Sequence, residues 1–388
     1  MSRYPIAIAI VTALCSSSAC SKPSESSPAA ATSTSASAVN APAASVASAA
    51  SAKPAAFDPA MLAAFAALPA PPASPSPAPL DDKAVLGRML YYEARLSKNH
   101  DVSCNSCHKL DGFGVDGQAT SEGHKKQHGG RNAPTVLNAS LHFRQFWDGR
   151  AADVEEQATG PIANPIEMAS DEKRVVDTLT SMPEYVAAFQ KAFPEGAAAA
   201  AGATGAAGGA KSPITLKNVG VAIGAFERRL VTPGRFDKYL GGDKTALTAA
   251  ELEGLATFSQ TGCPACHAGP GVGGAMYQKV GLVKPWPNLK DEGRFTVTKQ
   301  DADKLMFKVP SLRNVAKTGP YFHDGATATL ADAIRLMARH QLGKELSDAE
   351  VTRIVTFLET LTAAPAPELV APPTLPKSTD KTPKPDPA

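Results

Sequence analysis

Cys104-Asn105-Ser106-Cys107-His108 and Cys263-Pro264-Ala265-Cys266-His267 are two copies of one pattern, C-x-x-C-H. This spacing is typical of covalent attachment of c-type haem. Two thiols separated by two residues lie on one helical turn, where each can add to a haem vinyl group, and the following histidine can ligate the iron. A chain with 6 Cys and 8 His in 388 residues is expected to contain about 0.002 such motifs by chance. The repeat therefore predicts two covalently bound haem c groups.

Zinc binding and thiol redox chemistry are the alternatives for paired cysteines. Cys107 and Cys263 lie 156 positions apart, whereas zinc sites usually draw their ligands from closer spacing. A thioredoxin-like pair needs a βαβ setting, and no such pattern is apparent. The two other cysteines, Cys15 and Cys20, lie near the N-terminus, so no thiols remain for a disulfide framework. A net charge of +2 without a basic stretch argues against nucleic-acid binding.

The N-terminus has the pattern of an export signal. Arg3 supplies positive charge, and residues 6–14 form an apolar run too short for an ordinary membrane span. The stretch Ser17-Ser18-Ala19-Cys20 fits a lipoprotein cleavage site with Cys20 lipidated, although position 17 lacks the usual leucine. Ordinary signal cleavage near the same place is the alternative. Either way, residues 1–20 predict export from the cytoplasm, as c-type haem attachment requires.

The rest of the chain contains three low-complexity segments. Residues 21–79 are rich in Ala, Ser and Pro and predict a flexible tether, with one apolar island at 57–68 that could form a short helix. Residues 196–211 are almost all Ala and Gly and predict an inserted surface loop. The Pro-rich residues 364–388 predict a disordered tail.

Two blocks remain, residues 80–232 and 233–363, and each contains one haem motif. Strand signals are scarce, so the sequence predicts a mainly α fold of two cytochrome c-like domains related by duplication, with long loops and little β structure. Ser347-Asp348-Ala349-Glu350 is a capping box before an apolar-periodic helix. The predicted helices are Asp82–Tyr92, Asp171–Phe193, Leu216–Leu230, Thr248–Gln260, Leu330–Ala338 and Ser347–Leu361.

The second axial ligand of each haem decides what the haem can do. A haem with two protein ligands can store and transfer electrons, whereas a haem with an open position can bind and convert a substrate. In the second block, Met306 and Met337 are the candidate soft ligands, and spacing alone would equally fit Met337 as a core side chain. In the first block, a Gly- and Lys-rich loop contains His124 and His128. A histidine on a mobile loop could leave the iron, but a solvent-exposed histidine is the alternative for both positions.

The motifs that surround these candidate histidine and methionine ligands resemble those of the bacterial dihaem cytochrome c peroxidases. The first block contains CNSCH, TSEGH, RNAPTVLN, FRQFWDGRAADVEEQATGPI and IEM in that order, and the second contains FDKYL, GCPACH, GLV, GRFTVT, VPSLRNVAKTGPYFHDGA and QLG. The resemblance covers residues 80–361. It implies a peroxidatic haem in the first domain and a high-potential electron-transfer haem in the second.

The resemblance assigns axial ligands residue by residue. His108 corresponds to the proximal ligand of the first haem, and His124 to the distal ligand that caps this haem in the oxidised enzyme. His267 and Met337 correspond to the axial pair of the second haem. Related methylamine-dehydrogenase maturation enzymes have a tyrosine at the position of Met337, so methionine favours a peroxidase over a haem oxidase that acts on a protein.

The resemblance also implies the catalytic side chains. Glu167 corresponds to a distal carboxylate that moves protons on bound peroxide, and Gln157 to a companion amide that orients peroxide or water. Trp147 corresponds to a tryptophan between the two haems, although by composition alone a tryptophan is more often a core residue.

Further ligands and partners follow from the same resemblance. The Asn132 side chain and the carbonyls of Thr318 and Pro320 correspond to a site for one calcium ion between the domains. The implied substrate is hydrogen peroxide, the implied donor is a small c-type cytochrome or blue-copper protein, and the implied assembly is a periplasmic homodimer. A non-enzymatic dihaem electron carrier is the alternative function.

Overall fold

Helices joined by long irregular segments make up most of residues 56–68, 79–195 and 212–388, which are the residues that this computed structural model describes. The helices are α1 (Asp82–Tyr91), α2 (Cys104–Cys107), α3 (Val154–Ala163), α4 (Glu172–Thr180), α5 (Pro183–Ala192), α6 (Leu216–Glu227), α7 (Arg235–Leu240), α8 (Ala249–Thr261), α9 (Phe295–Thr298), α10 (Leu330–Leu342), α11 (Asp348–Glu359) and α12 (Pro367–Val370). Strands β1 (Tyr277–Lys279) and β2 (Met306–Lys308) pair antiparallel, with Tyr277 opposite Lys308. The predicted mainly α class with little β structure is confirmed.

Short 3₁₀ helices fill several of the connections. They are Pro59–Ala64, Ala94–Leu96, Leu110–Gly112, His124–Lys126, Ala139–Leu141, Cys263–Ala265, Asp301–Asp303 and Val315–Lys317. None of the helices in the described ranges combines the length and apolar character needed to cross a bilayer.

Local sequence signals explain where the helices begin and where one prediction was wrong. The predicted capping box at Ser347 is present, because the Ser347 backbone amide donates to the Glu350 carboxylate at 2.8 Å. Helix α11 starts directly after Ser347, at Asp348. The predicted helix Asp171–Phe193 is instead two helices, α4 and α5. Pro183 occupies the first turn of α5, where its missing N–H is tolerated, and the preceding Met182 is extended, which ends the earlier helix.

Two hydrophobic cores lie in the described chain, one in each predicted block. In the first, α1 and α3 pack against α6, and its buried side chains run from Leu86 to Leu230, with Leu369 of the C-terminal tail added. In the second, α8 packs against α11, and its buried side chains run from Phe236 to Leu361. The cores therefore support a boundary near residue 232, which remains a prediction.

A similar backbone path occurs in both halves. Asn138 and Asn314 both adopt left-handed conformations, and so do Phe146 and Phe322, at a spacing of 176 residues in each case. Both asparagine amides donate to the Thr232 hydroxyl, at 2.9 Å and 3.0 Å. This repetition supports the proposed duplication and joins the two halves at their predicted boundary.

The apolar island of the proposed tether contains the predicted short helix, as the 3₁₀ helix Pro59–Ala64. Residues 56–68 lie on the second core, where the Phe65 ring is 5.4 Å from that of Phe236 and Leu68 is buried. The N-terminal residues 1–55, the segment 69–78 and the Ala/Gly segment 196–211 lie outside the described residues.

The tail 364–388, expected to be disordered, runs along the first half. Leu369 is buried in the first core, and the Tyr92 hydroxyl donates to the Val370 carbonyl at 2.5 Å. Farther along, Arg95 donates to the Pro376 carbonyl at 2.8 Å and Arg174 to the Lys384 carbonyl at 2.5 Å. Proline-rich backbone retains free carbonyl acceptors, so arginine side chains can fix it without secondary structure.

A buried ion pair in the second half is the basis of a stability prediction. Arg313 donates to both carboxylate oxygens of Asp237, at 2.6 and 2.8 Å, and the pair is almost fully enclosed. Asp237→Ala is expected to lower the free energy of unfolding by about 3–5 kcal/mol, because it leaves a buried guanidinium unpaired. Chemical denaturation of the haem-loaded protein measures this effect.

The matched control is Asp301→Ala, which removes an exposed aspartate paired with Lys304 at the surface. Exposed pairs contribute little, so the denaturation midpoint should stay at the wild-type value. Equal midpoints for Asp237→Ala and Asp301→Ala would contradict the prediction.

Candidate functional site

The first C-x-x-C-H motif forms the short helix α2 and the residue after it. Ser103 and Ser106 make a capping box at its start, and His108 follows its last residue. The Tyr91 hydroxyl of α1 donates to the His108 carbonyl at 2.6 Å and fixes this turn on the first core. Cys104 and Cys107 are free thiols on one turn, which is the arrangement that the motif predicts.

Burial sets the protonation of the motif side chains. Desolvation raises the pKa of the Cys104 and Cys107 thiols and of Cys263, so these groups stay protonated and neutral. Desolvation also lowers the pKa of His108, and it lowers the pKa of His267 to about 4. Both imidazoles are therefore neutral at physiological pH, and the neutral imidazole is the form that binds metal.

The two histidines of the first-half loop differ in their surroundings. His124 is buried, and its Nδ1 atom has no hydrogen-bond partner among the described residues. His128 is exposed and its Nδ1 lies 2.9 Å from the Thr120 carbonyl oxygen. The geometry therefore favours His124 over His128 as a buried ligand.

Glu167 lies against the His124 loop. The His124 amide donates to the Glu167 carbonyl at 2.8 Å, and the Glu167 carboxylate accepts from the Asn164 amide at 2.7 Å. Burial raises the pKa of Glu167, whereas the Arg150 charge and the Asn164 hydrogen bond each lower it in part. A half-buried carboxylate with a raised pKa accepts a proton more readily than an ordinary glutamate and can return it.

Gln157 lies on α3. It is half-buried on this helix, and the chain turns after Ala163, the last residue of α3, before it reaches Glu167. The two predicted catalytic side chains are thus carried by one helix and the turn that follows it.

The second motif opens into a large cavity that is mostly apolar. Cys263, Cys266, His267 and Met337 all line it, together with core residues of α8, α10 and α11. Met306 is not among the lining residues. Of the two candidate methionines, the structure therefore brings only Met337 to the cavity that holds His267.

The first half contributes the opposite part of this cavity wall. Trp147 and Asn132 both line it, and the Trp147 indole N–H donates to the Asn132 carbonyl at 2.9 Å. Thr318 and Pro320 line the same cavity from the second half. The three predicted calcium-binding residues and the predicted bridging tryptophan therefore all line one cavity, to which both halves contribute.

The side chains that line this cavity fit one haem group. The cavity presents two thiols, an imidazole and a thioether within an apolar enclosure, which is the donor set of a haem with a His/Met axial pair. Lys308 in its wall is a buried cation 2.9 Å from His142, and no carboxylate in the described part of the chain pairs with it. An anionic ligand such as a haem propionate would supply the missing charge.

Several contacting residues were missed by sequence reasoning. Asn164 holds the Glu167 carboxylate, Arg150 lies over the Phe146 ring at 3.4 Å and lowers the pKa of Glu167, and Lys308 reaches the cavity from β2. The Asn164-Pro165 pair gave a turn signal, because asparagine before proline favours turns. Nothing in the sequence marked Arg150 or Lys308 as different from the other lysines and arginines of the chain.

Comparisons with known proteins agree with this geometry. A family model described as di-haem cytochrome c peroxidase matches residues 81–245. The chain is 48% identical over 305 residues to the cytochrome c551 peroxidase of Nitrosomonas europaea, covering 78% of this chain and 86% of that protein. It is 46% identical over 306 residues to the cytochrome c551 peroxidase of Pseudomonas aeruginosa, covering 77% and 84%.

A solved structure gives the same result for the fold. The crystal structure of a MauG-like protein associated with microbial copper homeostasis superposes with a TM-score of 0.64 at 28% identity, covering 79% of this chain and 98% of that one.

Proposed function

This chain belongs to the di-haem cytochrome c peroxidase family, and we propose that it reduces hydrogen peroxide at the first motif with electrons that enter at the second. As a member it carries two haems and is an oxidoreductase. The different roles proposed for the two haem sites rest on one difference between them. His124 is buried on a surface loop beside Glu167, whereas Met337 belongs to the long helix α10 in the wall of the second cavity.

Each haem is proposed to be attached through two thioether bonds. The S–H of each thiol adds across a vinyl double bond, so no atom is lost and no oxidant is needed. The pairs are Cys104 with Cys107 and Cys263 with Cys266. Their position on one turn, one pair per core, supports this attachment.

Four side chains are proposed to hold the haem irons: His108 and His124 in the first half, and His267 and Met337 in the second. When bound, the haems would supply the iron that binds peroxide and the path for electrons. The protein would supply one ligand from a short loop at the first site and one from the 13-residue helix α10 at the second. This difference supports release of His124 and retention of Met337.

Glu167 is proposed to move the proton. Its raised pKa lets the carboxylate accept a proton from one peroxide oxygen and deliver it to the other, while the Asn164 amide holds the group in place. Gln157 is proposed to orient peroxide or water. Two protons and two electrons then convert one peroxide molecule to two water molecules.

Trp147 is proposed to couple the two haem sites, and Asn132, Thr318 and Pro320 to bind one calcium ion. The lining of one cavity by all four residues supports both roles, since oxygen donors from two halves suit a hard cation. The Trp147 ring lies 6.3 Å from the His323 ring of the second half, so aromatic contact crosses the boundary.

The location, the substrate, the electron donor and the assembly of the enzyme are also proposals. The N-terminal signal pattern supports export to the periplasm, and lipidation at Cys20 is proposed to tether the protein to a membrane. The names of the relatives support hydrogen peroxide as substrate and a cytochrome as donor. A blue-copper donor and a homodimeric assembly rest on the family resemblance alone.

The half-reduced protein distinguishes the peroxidase from a dihaem electron carrier. In the proposed peroxidase, reducing the second haem frees the first from His124, so absorption spectra should develop a high-spin band that peroxide abolishes. In a dihaem electron carrier both haems would stay low-spin, and peroxide would not change their spectra. Two unchanging low-spin spectra at half reduction would contradict the proposed open site.

A further inference from the structure

The distal loop, defined here as residues 119–128, is fastened to the Glu167 segment by two backbone features. The His124 amide donates to the Glu167 carbonyl at 2.8 Å. Beside it, a Cβ atom added at Gly123 would lie 2.2 Å from the Ile166 carbonyl oxygen and 2.8 Å from the Glu167 Cα. Real Cβ atoms do not approach backbone this closely, so any side chain at position 123 would force the two segments apart.

The distal loop is braced within itself. The Gly123 amide donates to the Gln127 carbonyl at 2.8 Å, and the Gln127 side-chain amide donates to the His124 carbonyl at 3.1 Å. Lys125 and Lys126 both have left-handed backbone conformations, with φ of 56° and 60°. Because such conformations are unfavourable for residues with a Cβ, the closed loop stores backbone strain that opening can release.

The other end of the distal loop rests on the second half. A Cβ added at Gly325 would lie 2.5 Å from the Ala119 carbonyl oxygen. Phe322 and His323, in the same turn as Gly325, line the cavity that contains His267 and Met337. The loop therefore contacts Glu167 at one point and the wall of the second-haem cavity at another.

We propose that Gly123 is a positioning residue: it latches the distal loop onto the Ile166–Glu167 backbone, and only a residue without a Cβ lets His124 reach its buried position. The latch is closed when His124 is buried and open when the loop leaves Glu167. The Gly325–Ala119 contact joins the same loop to the second half. This inference rests on the proposed function, in which His124 is the ligand that is released.

Gly123→Ala is the direct test, and Gly129→Ala is its matched control. Gly129 lies just beyond the loop, and a Cβ there meets nothing within 4 Å. In the fully oxidised, haem-loaded protein, Gly123→Ala is expected to raise the high-spin fraction of the first haem, measured by electron paramagnetic resonance, at least tenfold. Exchange of the His124 amide hydrogen should accelerate as well, and peroxide turnover should no longer need prior reduction. Gly129→Ala should match wild type in all three measurements.

A second variant covers the case in which Gly123→Ala fails to fold or to bind haem. Gln127→Ala removes a brace from the exposed side of the loop without adding an atom, so its high-spin fraction should rise in the same direction by a smaller factor. If Gly123→Ala and Gln127→Ala both give the spin state and amide exchange of Gly129→Ala, the latch is overturned.

His124→Ala separates this inference from the proposed function. Oxidised His124→Ala that is high-spin, and that turns over peroxide and donor without prior reduction of the second haem, supports His124 as the released ligand. If that variant still requires prior reduction, the proposed function fails at its switch. If His124→Ala is active while the Gly123 and Gln127 variants resemble the control, the switch stands and the latch alone is wrong.

Discussion

Replacing Glu167 with glutamine is expected to lower the kcat for peroxide reduction by about 10²–10⁴-fold, the usual contribution of a positioned acid–base group. Glutamine keeps the shape of the side chain and its contact with Asn164 but cannot carry a proton between the two peroxide oxygens. Both haem spectra should be unchanged, because Glu167 is not an axial ligand. Steady-state assays with a reduced electron donor measure the loss.

The control for this substitution is Glu172→Gln, an exposed glutamate on α4 whose removal should leave kcat at the wild-type value. The pH profile adds a second measurement. Turnover needs the deprotonated Glu167 carboxylate as proton acceptor, so kcat should decrease as the pH falls and this group becomes protonated. Because the pKa of Glu167 is raised, this decrease should occur at a higher pH than is usual for glutamate. Full turnover in Glu167→Gln would remove this residue from the mechanism.

Replacing Cys263 and Cys266 together with alanine is expected to halve the covalently bound haem, from two groups to one per chain. Each thioether bond needs its own thiol, and no other cysteine in the described residues lies at this site. Pyridine haemochrome analysis of denatured protein counts the haem that stays attached. Peroxide turnover with an external donor should be lost as well, since the proposed entry point for electrons is gone.

The matched variant is the double substitution of Cys104 and Cys107, which should leave one haem in the second half. Comparing the two doubles keeps the number of substitutions constant and changes only the site. Wild-type protein with fewer than two covalent haems, or a double variant that retains both, would contradict covalent attachment at these motifs.

Short-range signals in the sequence predicted much of the fold. The capping box at Ser347 starts a helix where expected, and the predicted helix at Thr248–Gln260 corresponds to α8 within one residue at each end. Apolar periodicity was sufficient there because each helix buries one face in a single core. For the candidate site, the sequence motifs placed both cysteine pairs and their histidines, and the structure adds the cavity in which Met337 joins His267.

What the sequence could not reveal depends on distant contacts. The tail 364–388 has a composition typical of disorder, and only the arginines of the first half, far away in the chain, provide its partners. The effect of Arg150 on Glu167 likewise arises from the folding of one turn onto another. The roles of the site residues themselves remain predictions, because geometry alone does not show turnover.

The burial of Leu369 in the first core has a consequence for biosynthesis. Domains generally fold from the N-terminus while the ribosome is still elongating the chain. Here the first core lacks one of its buried side chains, Leu369, until the entire second half has been synthesised. The earlier-made half of this protein is therefore completed last, and a C-terminal truncation would damage the half farthest away in the chain.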